Sequence, residues 1–165
     1  LPIWTRILSF GSESWGEAEL FCTITASFDF VDIAVKAEEL GYDSIWVYDH
    51  FHNVPRAAHE AVFEAWTTMA AISQRTSRVR LGQMVGCNSY RQPSVLAKIT
   101  STIDVISGGR LDWGIGAGWY EHEYKGYGFE FPPPKERIGM LRESVQIVRR
   151  VKMLLKTEHP AQILC

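Results

Sequence analysis

Residues 107–131 have the sequence SGGRLDWGIGAGWYEHEYKGYGFEF, and this stretch decides the fold assignment. Gly108 and Gly109 are predicted to end the apolar helix before it, since glycine adopts the left-handed conformation that helix C-termini favour. Residues 111–115 are then predicted to form a short strand. The rest of the chain is predicted to form the framework that presents side chains to the end of this strand.

A glycine-rich turn follows the strand. Gly116, Ala117 and Gly118 leave the main chain bare, so that amide groups can approach a ligand such as a phosphate or a flat ring closely. Residues 119–131 are predicted as an acidic, aromatic loop. Its aromatic and titratable side chains therefore lie at the carboxyl end of a strand.

Strands and helices alternate upstream and downstream of this turn. Strands are predicted within residues 3–10 and over 44–48 and 79–85, because these runs are short and apolar. Helices are predicted from apolar residues at helical spacing in four segments: residues 28–40; Val62, Ala65, Trp66, Met69 and Ala70; Val95, Leu96, Ile99, Ile103 and Ile106; and, over 136–156, Ile138, Leu141, Val145, Val148 and Leu155.

The alternation predicts an α/β fold with a parallel sheet and right-handed crossovers. A dinucleotide-binding fold is disfavoured, because Trp119 stands where G-x-G-x-x-G needs its third glycine and because the unit is the fourth, not the first. Polar residues follow strands two, three and four, as the active face of a barrel requires. We therefore predict a single domain over residues 1–165, a partial TIM (β/α)8 barrel of about four βα units.

Composition restricts the class of protein. The 165 residues are 46% hydrophobic and 22% charged with a net charge of −2, which is typical of a soluble domain and gives no electrostatic reason to expect a nucleic-acid or membrane partner. No apolar run reaches the roughly 20 residues of a membrane span. We expect a cytoplasmic protein in which the three cysteines, Cys22, Cys87 and Cys165, are free thiols.

Three long segments carry a family resemblance: ELGYDSIWVYDHFHNVP (39–55), FEAWTTMAAISQRTSRVRLGQMV (63–85) and NSYRQPSVLAKITSTIDVISGGRLDWGIGAGWYEHEYKGYGFEFP (88–132). They resemble the bacterial-luciferase-like flavin-dependent oxidoreductases, and among these the branch that uses the deazaflavin coenzyme F420. The resemblance covers about 39–150, whereas 1–25 and 156–165 are atypical. It implies the N-terminal half of a TIM barrel that transfers a hydride between F420 and a small organic substrate, or an FMN-dependent monooxygenase.

The resemblance also implies site residues. His50 is the proposed proton donor, and Glu121 is a candidate base because Trp119 occupies the position at which some relatives have a catalytic glutamate. Residues 84–87 match a strand-three bulge, often with a non-proline cis peptide, that supports the back of the coenzyme ring. The implied cofactor-binding residues are Asp49, His50, Met84, Val85, Gly86, Cys87, Asn88, Gly116, Ala117, Gly118 and His122.

The residues themselves allow simpler interpretations. His50 suits proton transfer because its imidazole titrates near neutrality and Asp49 is adjacent, but a histidine bonded to the main chain is the alternative. Cys87 is expected to be a small buried residue and not a nucleophile. Arg91 is expected in a solvated loop.

Two other functions stay open. His50 and His52 form H-x-H, which with His59 and Glu60 nearby could ligate zinc in a barrel hydrolase. Alternatively the chain is a non-catalytic half-barrel in which strands one and four are open edges. Such edges predict a homo-oligomer or a complementing half-barrel partner.

Overall fold

The computed structural model describes residues 7–10, 20–21, 29–54, 62–154 and 162–164. The strands are β1 (Ile7–Phe10), β2 (Leu20–Phe21), β3 (Ser44–Val47), β4 (Arg80–Gln83), β5 (Gly86–Cys87), β6 (Leu111–Gly116) and β7 (Gln162–Leu164). The α-helices are α1 (Asp29–Glu39), α2 (Ala65–Arg75), α3 (Pro93–Ile106), α4 (Glu121–Tyr127) and α5 (Pro134–Leu154).

All the strand pairs are parallel, in the order β2-β1-β3-β4-β6-β5, with β7 beside β6. Helix α2 connects the neighbouring strands β3 and β4, and α3 connects the neighbouring strands β5 and β6, as in a parallel sheet with helical crossovers. The predicted α/β architecture of about four βα units is confirmed. Its consequence is that the carboxyl ends of β3, β5 and β6 lie along one edge of the sheet.

Strands one and four of the prediction are not the open edges that were expected. In the part of the chain that the structure describes, β2 pairs with β1 and β7 pairs with β6. The sequence prediction missed both strands because β2 has two residues and β7 three. Of the strand predicted within residues 3–10, the structure describes Ile7–Phe10, and residues 3–6 lie outside the described residues.

The hydrophobic core lies between the sheet and the helices. On the sheet side, Ile45, Leu81, Leu111 and Trp113 are almost fully buried. On the helix side the core includes Trp66, Met69 and Ile72 of α2, Leu96 and Ile103 of α3, and Val148 of α5. Burying a side chain of this size contributes about 1.5–3 kcal/mol, so these residues fix the helices against the outer face of the sheet.

The helical faces differ in part from the prediction. Val95 and Ile106 of α3 and Ile138 of α5 are exposed, although all three were expected to be buried. The buried face of α3 keeps the predicted Leu96 and Ile103 and also includes Ala97, Thr100, Ser101 and Asp104. Leu155 lies outside the described residues. No helix among the described residues is long and apolar enough to cross a membrane.

The third predicted strand is interrupted. It was expected to be continuous over residues 79–85, but β4 ends at Gln83, the Met84–Val85 peptide bond is cis, and pairing resumes in β5 against β6. A Cβ on Gly114 would overlap the main-chain carbonyl oxygen of Gln83, so glycine there permits the close approach of β6 to the end of β4. The strand-three bulge implied by the family resemblance is thereby confirmed.

The loop predicted after the fourth strand contains a helix. Residues Glu121–Tyr127 form α4, which ends at Gly128 in the left-handed conformation. Glycine and tyrosine are weak helix formers, which is why the segment was predicted as a loop. The hydrogen bonds of the buried Glu123 and the packing of the buried Tyr124 stabilise the helix in the folded protein.

One glutamate joins α1 to the chain that leads into β4. The Glu38 carboxylate accepts hydrogen bonds from the main-chain nitrogens of Ser77, Arg78 and Val79 at 2.7–3.1 Å. Burial alone would raise the pKa of Glu38, but these bonds outweigh it and hold the pKa below its ordinary value of 4.5. The ionised carboxylate is therefore the form that stabilises the fold.

We expect Glu38→Gln to lower the free energy of unfolding by about 1 kcal/mol at neutral pH, because hydrogen bonds to a charged acceptor are stronger than neutral ones. Glu39→Gln is the matched control, since Glu39 is exposed on the same helix and pairs there with Lys36. The native pKa of Glu38 is depressed, so its stabilisation is complete above about pH 4.5 and is lost as the pH falls through the native pKa. Urea unfolding from neutral to acidic pH measures this; a difference from wild type that persists at the acidic end would contradict it.

Candidate active site

The carboxyl ends of β3, β5 and β6 surround an open cavity of about 150 Å³. Seven of the predicted site residues line it together with three others. The lining residues are Asp49, His50, Met84, Val85, Gly86, Cys87, Tyr90, Gly118, Trp119 and Tyr120. The three strand ends that the sequence predicted to converge therefore do meet at one place.

The Asp49 carboxylate holds the bulge at residues 84–87 in place. Its carboxylate accepts two hydrogen bonds from Arg91, at 2.7 and 2.9 Å, and one from the main-chain nitrogen of Cys87 at 2.9 Å. Burial raises the pKa of Asp49, and the hydrogen bonds from Arg91 oppose that shift. Asp49 thus connects the end of β3 to β5.

Arg91 is not the solvated arginine that was expected. Its side chain is only 12% exposed and pairs with both Asp49 and Glu64. Glu64 in turn caps the N-terminus of α2 by accepting a hydrogen bond from the nitrogen of Thr67 at 2.7 Å. Arg91 therefore holds the bulge, the end of β3 and the start of α2 in one arrangement.

His50 is paired with a carboxylate that the sequence analysis did not identify. The imidazole Nδ1 lies 2.7 Å from Oε2 of Glu123, whose side chain is fully buried. The same oxygen accepts a hydrogen bond from the Tyr90 hydroxyl at 2.6 Å. The other carboxylate oxygen accepts from the main-chain nitrogens of Phe51 at 2.5 Å and His52 at 2.9 Å.

These contacts determine the charge of the group. Burial alone would raise the pKa of Glu123, but the hydrogen bonds from His50, Tyr90 and the His52 main chain outweigh it and hold the pKa below its ordinary value. Burial and the hydrogen bond to Glu123 raise the pKa of Tyr90. At neutral pH Glu123 is therefore an ionised carboxylate that accepts a hydrogen bond, and Tyr90 is a neutral phenol that donates it.

The bulge presents an apolar surface beside His50. Met84 and Val85, which flank the cis peptide bond, are 49% and 50% exposed although both are hydrophobic. A Cβ on Gly116 would lie 2.9 Å from Cγ2 of Val85, so the bare main chain of β6 leaves room for that side chain. Exposed apolar side chains next to a cavity are typical of a ligand contact.

Aromatic rings form the opposite wall. Trp119 and Tyr120 lie edge-on to the His50 ring, with centroids 5.9 and 6.0 Å away. Trp119 is 62% exposed, which is unusual for so large an apolar side chain. The imidazole thus contacts the aromatic rings of Trp119 and Tyr120 as well as the buried carboxylate of Glu123.

The Cys87 thiol belongs to the framework. Cys87 is buried, its sulfur lies 3.2 Å from the hydroxyl of Tyr124, and burial raises its thiol pKa. Gly118 has a positive φ of 81°, and a Cβ there would overlap the Tyr124 hydroxyl and lie 2.8 Å from the sulfur. The structure thus agrees with the interpretation of Cys87 as a buried packing residue.

Some predicted site residues lie elsewhere. Glu121 is exposed on α4 and pairs with Lys125 at 2.9 Å, and His122 is exposed beside His52. Asn88 is buried behind the bulge, where its Oδ1 has no hydrogen-bond partner among the described residues. The structure does not bring Glu121 to the cavity; Glu123, two residues later, faces His50.

Glu123, Tyr90 and Arg91 are the residues that sequence reasoning missed. A signal was present for Glu123, since Tyr120, Glu123, Tyr124 and Tyr127 follow the i, i+3, i+4, i+7 spacing of one helical face. That spacing would have placed Glu123, and not Glu121, on the inner side. For Tyr90 and Arg91 the sequence offered only adjacency to the bulge.

The alternative metal site is not supported by the described residues. Among them, no group of three or more histidine, cysteine, aspartate or glutamate side chains is arranged to hold a metal ion. His50 uses Nδ1 for Glu123, and the His52 ring contacts His122 and Tyr127. His59 and Glu60 lie outside the described residues.

The chain is similar to a known protein family and to proteins of known function. A family model described as luciferase-like monooxygenase matches residues 17–160. F420-dependent glucose-6-phosphate dehydrogenases from Amycolatopsis mediterranei and Kribbella flavida are 40% identical over 126 residues and 41% identical over 123 residues. The matches cover 74% and 73% of this chain but only 37% and 36% of the two relatives, so the chain spans little more than one third of their length.

Two solved structures of coenzyme-dependent enzymes superpose on this chain. An F420-dependent secondary alcohol dehydrogenase in complex with an F420–acetone adduct superposes with a TM-score of 0.72 at 28% identity, covering 95% of this chain and 44% of that one. The oxygenating constituent of 3,6-diketocamphane monooxygenase from Pseudomonas putida, in complex with FMN, gives a TM-score of 0.62 at 25% identity, covering 73% and 32%.

Proposed function

Because the chain belongs to the luciferase-like monooxygenase family, we propose that it carries part of the active site of an F420-dependent oxidoreductase. The relatives named above as F420-dependent support this choice of coenzyme, and the FMN complex supports FMN as the alternative. One observation carries the proposal: His50, paired with a buried carboxylate, shares the rim of a cavity with the exposed apolar bulge at Met84 and Val85.

The residues present fit a flat tricyclic ring. Met84 and Val85 offer an exposed apolar surface at the cavity. Gly86 and Gly118 line the same cavity, and Gly116 leaves room for the Val85 side chain. We propose these five residues as the ring contact. When bound, the deazaflavin supplies the acceptor for a hydride, and the protein must orient that ring and handle a proton.

His50 is the proposed proton-transfer residue. In the oxidation of an alcohol, His50 would accept the O–H proton while the C–O bond becomes a carbonyl; the hydride of the carbinol carbon is what a bound deazaflavin would take up. An imidazole is suited to this role because its unperturbed pKa is near neutral. Trp119 and Tyr120, which stand against His50, are placed to exclude water from that transfer.

The proposed substrate class is a molecule with an H–C–O–H group. The two kinds of F420-dependent relative are named for a sugar phosphate and for a secondary alcohol, and both compounds contain this group. The interpretation of residues 1–165 as one domain, its cytoplasmic location, and its assembly as a homo-oligomer or with a complementing half-barrel stay predictions. Analytical sedimentation of the full chain tests the assembly.

Val85 gives the sharpest test of the ring contact. We expect Val85→Glu to raise the Kd for F420 at least tenfold, because it replaces an apolar contact with a charge that the bound ring would desolvate. Val105→Glu is the matched control: Val105 is also an exposed valine, 63% exposed, but lies on α3 away from the cavity. The measurement is a fluorescence titration of the full chain with F420.

Two outcomes of that titration would change the proposal. Equal Kd values for the two variants would contradict the ring contact. Saturable binding of FMN in a parallel titration, with none of F420, would favour the monooxygenase alternative.

A further inference from the structure

Glu123 contacts His50 and Tyr90, two of the residues that line the cavity, and both of its carboxylate oxygens are hydrogen-bonded. It is buried, and it contacts the His50 ring, the Tyr90 hydroxyl and two consecutive main-chain nitrogens, those of Phe51 and His52. A buried carboxylate is costly unless it is fully hydrogen-bonded, so this arrangement is a built feature of the site. Glu123 lies on α4, a short helix that follows β6 and is separate from α5, the long helix that precedes β7.

We propose that Glu123 is the positioning residue of this site: it holds His50 in the tautomer that carries its hydrogen on Nδ1, and so leaves Nε2 as the proton acceptor. This inference rests on the proposed function of His50. It concerns a residue that acts through the imidazole and is not itself expected to touch the substrate.

The contacts leave one consistent assignment of hydrogens. An ionised carboxylate can only accept hydrogen bonds. The Phe51 and His52 nitrogens and the Tyr90 hydroxyl donate to it, so the His50 ring nitrogen 2.7 Å away must also donate. The lowered pKa of Glu123 agrees with an ionised group. The tautomer of a histidine is set in this way by the hydrogen bond that its other nitrogen makes.

The same carboxylate also orients the ring. Glu123 also accepts hydrogen bonds from the two main-chain amides directly after His50. It therefore fixes the main chain beside the imidazole as well as the ring itself. Trp119 and Tyr120 then limit the rotation of the ring from the other side. The result is one orientation and one protonation pattern.

Replacing Glu123 with glutamine reverses the pattern without a change in size. The glutamine oxygen can still accept from Phe51 and His52, but its NH₂ group then faces Tyr90 and His50. The imidazole must accept at Nδ1 and carry its hydrogen on Nε2, where it can no longer take a proton. An imidazole in the wrong tautomer costs about 10⁴-fold in turnover in the serine-protease triad, so we expect a loss of about 10²- to 10⁴-fold here.

The test is ring-nitrogen NMR of the full chain without cofactor, at a pH at which His50 is neutral. We expect the hydrogen on Nδ1 in wild type, on Nε2 in Glu123→Gln, and on Nδ1 in Glu121→Gln, which changes the exposed glutamate of the same helix. Turnover measured afterwards should fall for Glu123→Gln through kcat, with the Kd for F420 within about threefold of wild type.

The outcomes separate this inference from the proposed function. A wild-type spectrum with the hydrogen on Nε2 would overturn it even if Glu123→Gln did not fold. A Glu123→Gln spectrum that kept the hydrogen on Nδ1 would overturn it as well. If the tautomer switches as expected but no variant binds F420 or FMN, Glu123 still positions His50 and the proposed function is what fails.

Discussion

Replacing His50 with glutamine is expected to lower kcat for hydride transfer to F420 by about 10²- to 10⁴-fold, because a positioned general base contributes a factor of that size. The Kd for F420 should change much less, since the proposed ring contact is made by the bulge and the glycines. A kcat–Kd split is therefore the signature of the proton-transfer role. Stopped-flow absorbance of F420 with a secondary alcohol or a sugar phosphate measures both quantities.

His52→Gln is the matched comparison. His52 follows in the same turn, but its ring packs against His122 and Tyr127 and does not line the cavity. We expect its kcat to stay within a few-fold of wild type. Equal losses for the two variants would contradict the assignment and favour the H-x-H metal pair. An unchanged kcat for His50→Gln would exclude His50 as the proton acceptor.

The second large effect is structural and concerns the bulge. Gly114→Ala is expected to destabilise the protein by about 2–4 kcal/mol, since the new Cβ would overlap the Gln83 carbonyl oxygen and the contact can relax only by moving main chain. Moving β6 away from Gln83 also displaces β5 and the apolar surface at Met84 and Val85. We therefore expect weaker F420 binding in any fraction that folds.

Gly139→Ala controls for the loss of glycine itself. Gly139 lies inside α5, and a Cβ there would meet nothing within 4 Å. Alanine is the better helix former, so this variant should gain about 0.5–1 kcal/mol. Urea unfolding compares the two variants with wild type. A Gly114→Ala protein with the wild-type midpoint would show that the close approach at the bulge is not required.

The sequence was sufficient for the framework. Apolar runs such as 44–48 and 111–115 predicted strands β3 and β6, because strands covered by helices are apolar along their length. The glycines of the 116–118 turn and the polar residues after each strand predicted which edge carries the site. The bulge at Met84 and Val85 came from the family resemblance, since no rule of composition predicts a break after Gln83.

The sequence was not sufficient for the partners of the site residues. Asp49 was assigned to His50 because it is adjacent in sequence, but His50 pairs with Glu123, 73 residues away. Such long-range pairs depend on how α4 packs, and the weak helix formers in α4 concealed that helix. Arg91 was misassigned for the same reason, because its two carboxylate partners, Asp49 and Glu64, come from other elements.

We propose the carboxyl ends of β3, β5 and β6 as the ring site for F420. The most direct test is an NMR titration of the ¹⁵N-labelled full chain with F420, followed through the main-chain amides. We expect saturable shifts that are largest at residues 84–87 and 116–120, with smaller changes on α3 and α5. The absence of saturable shifts, or shifts concentrated away from these two segments, would contradict it.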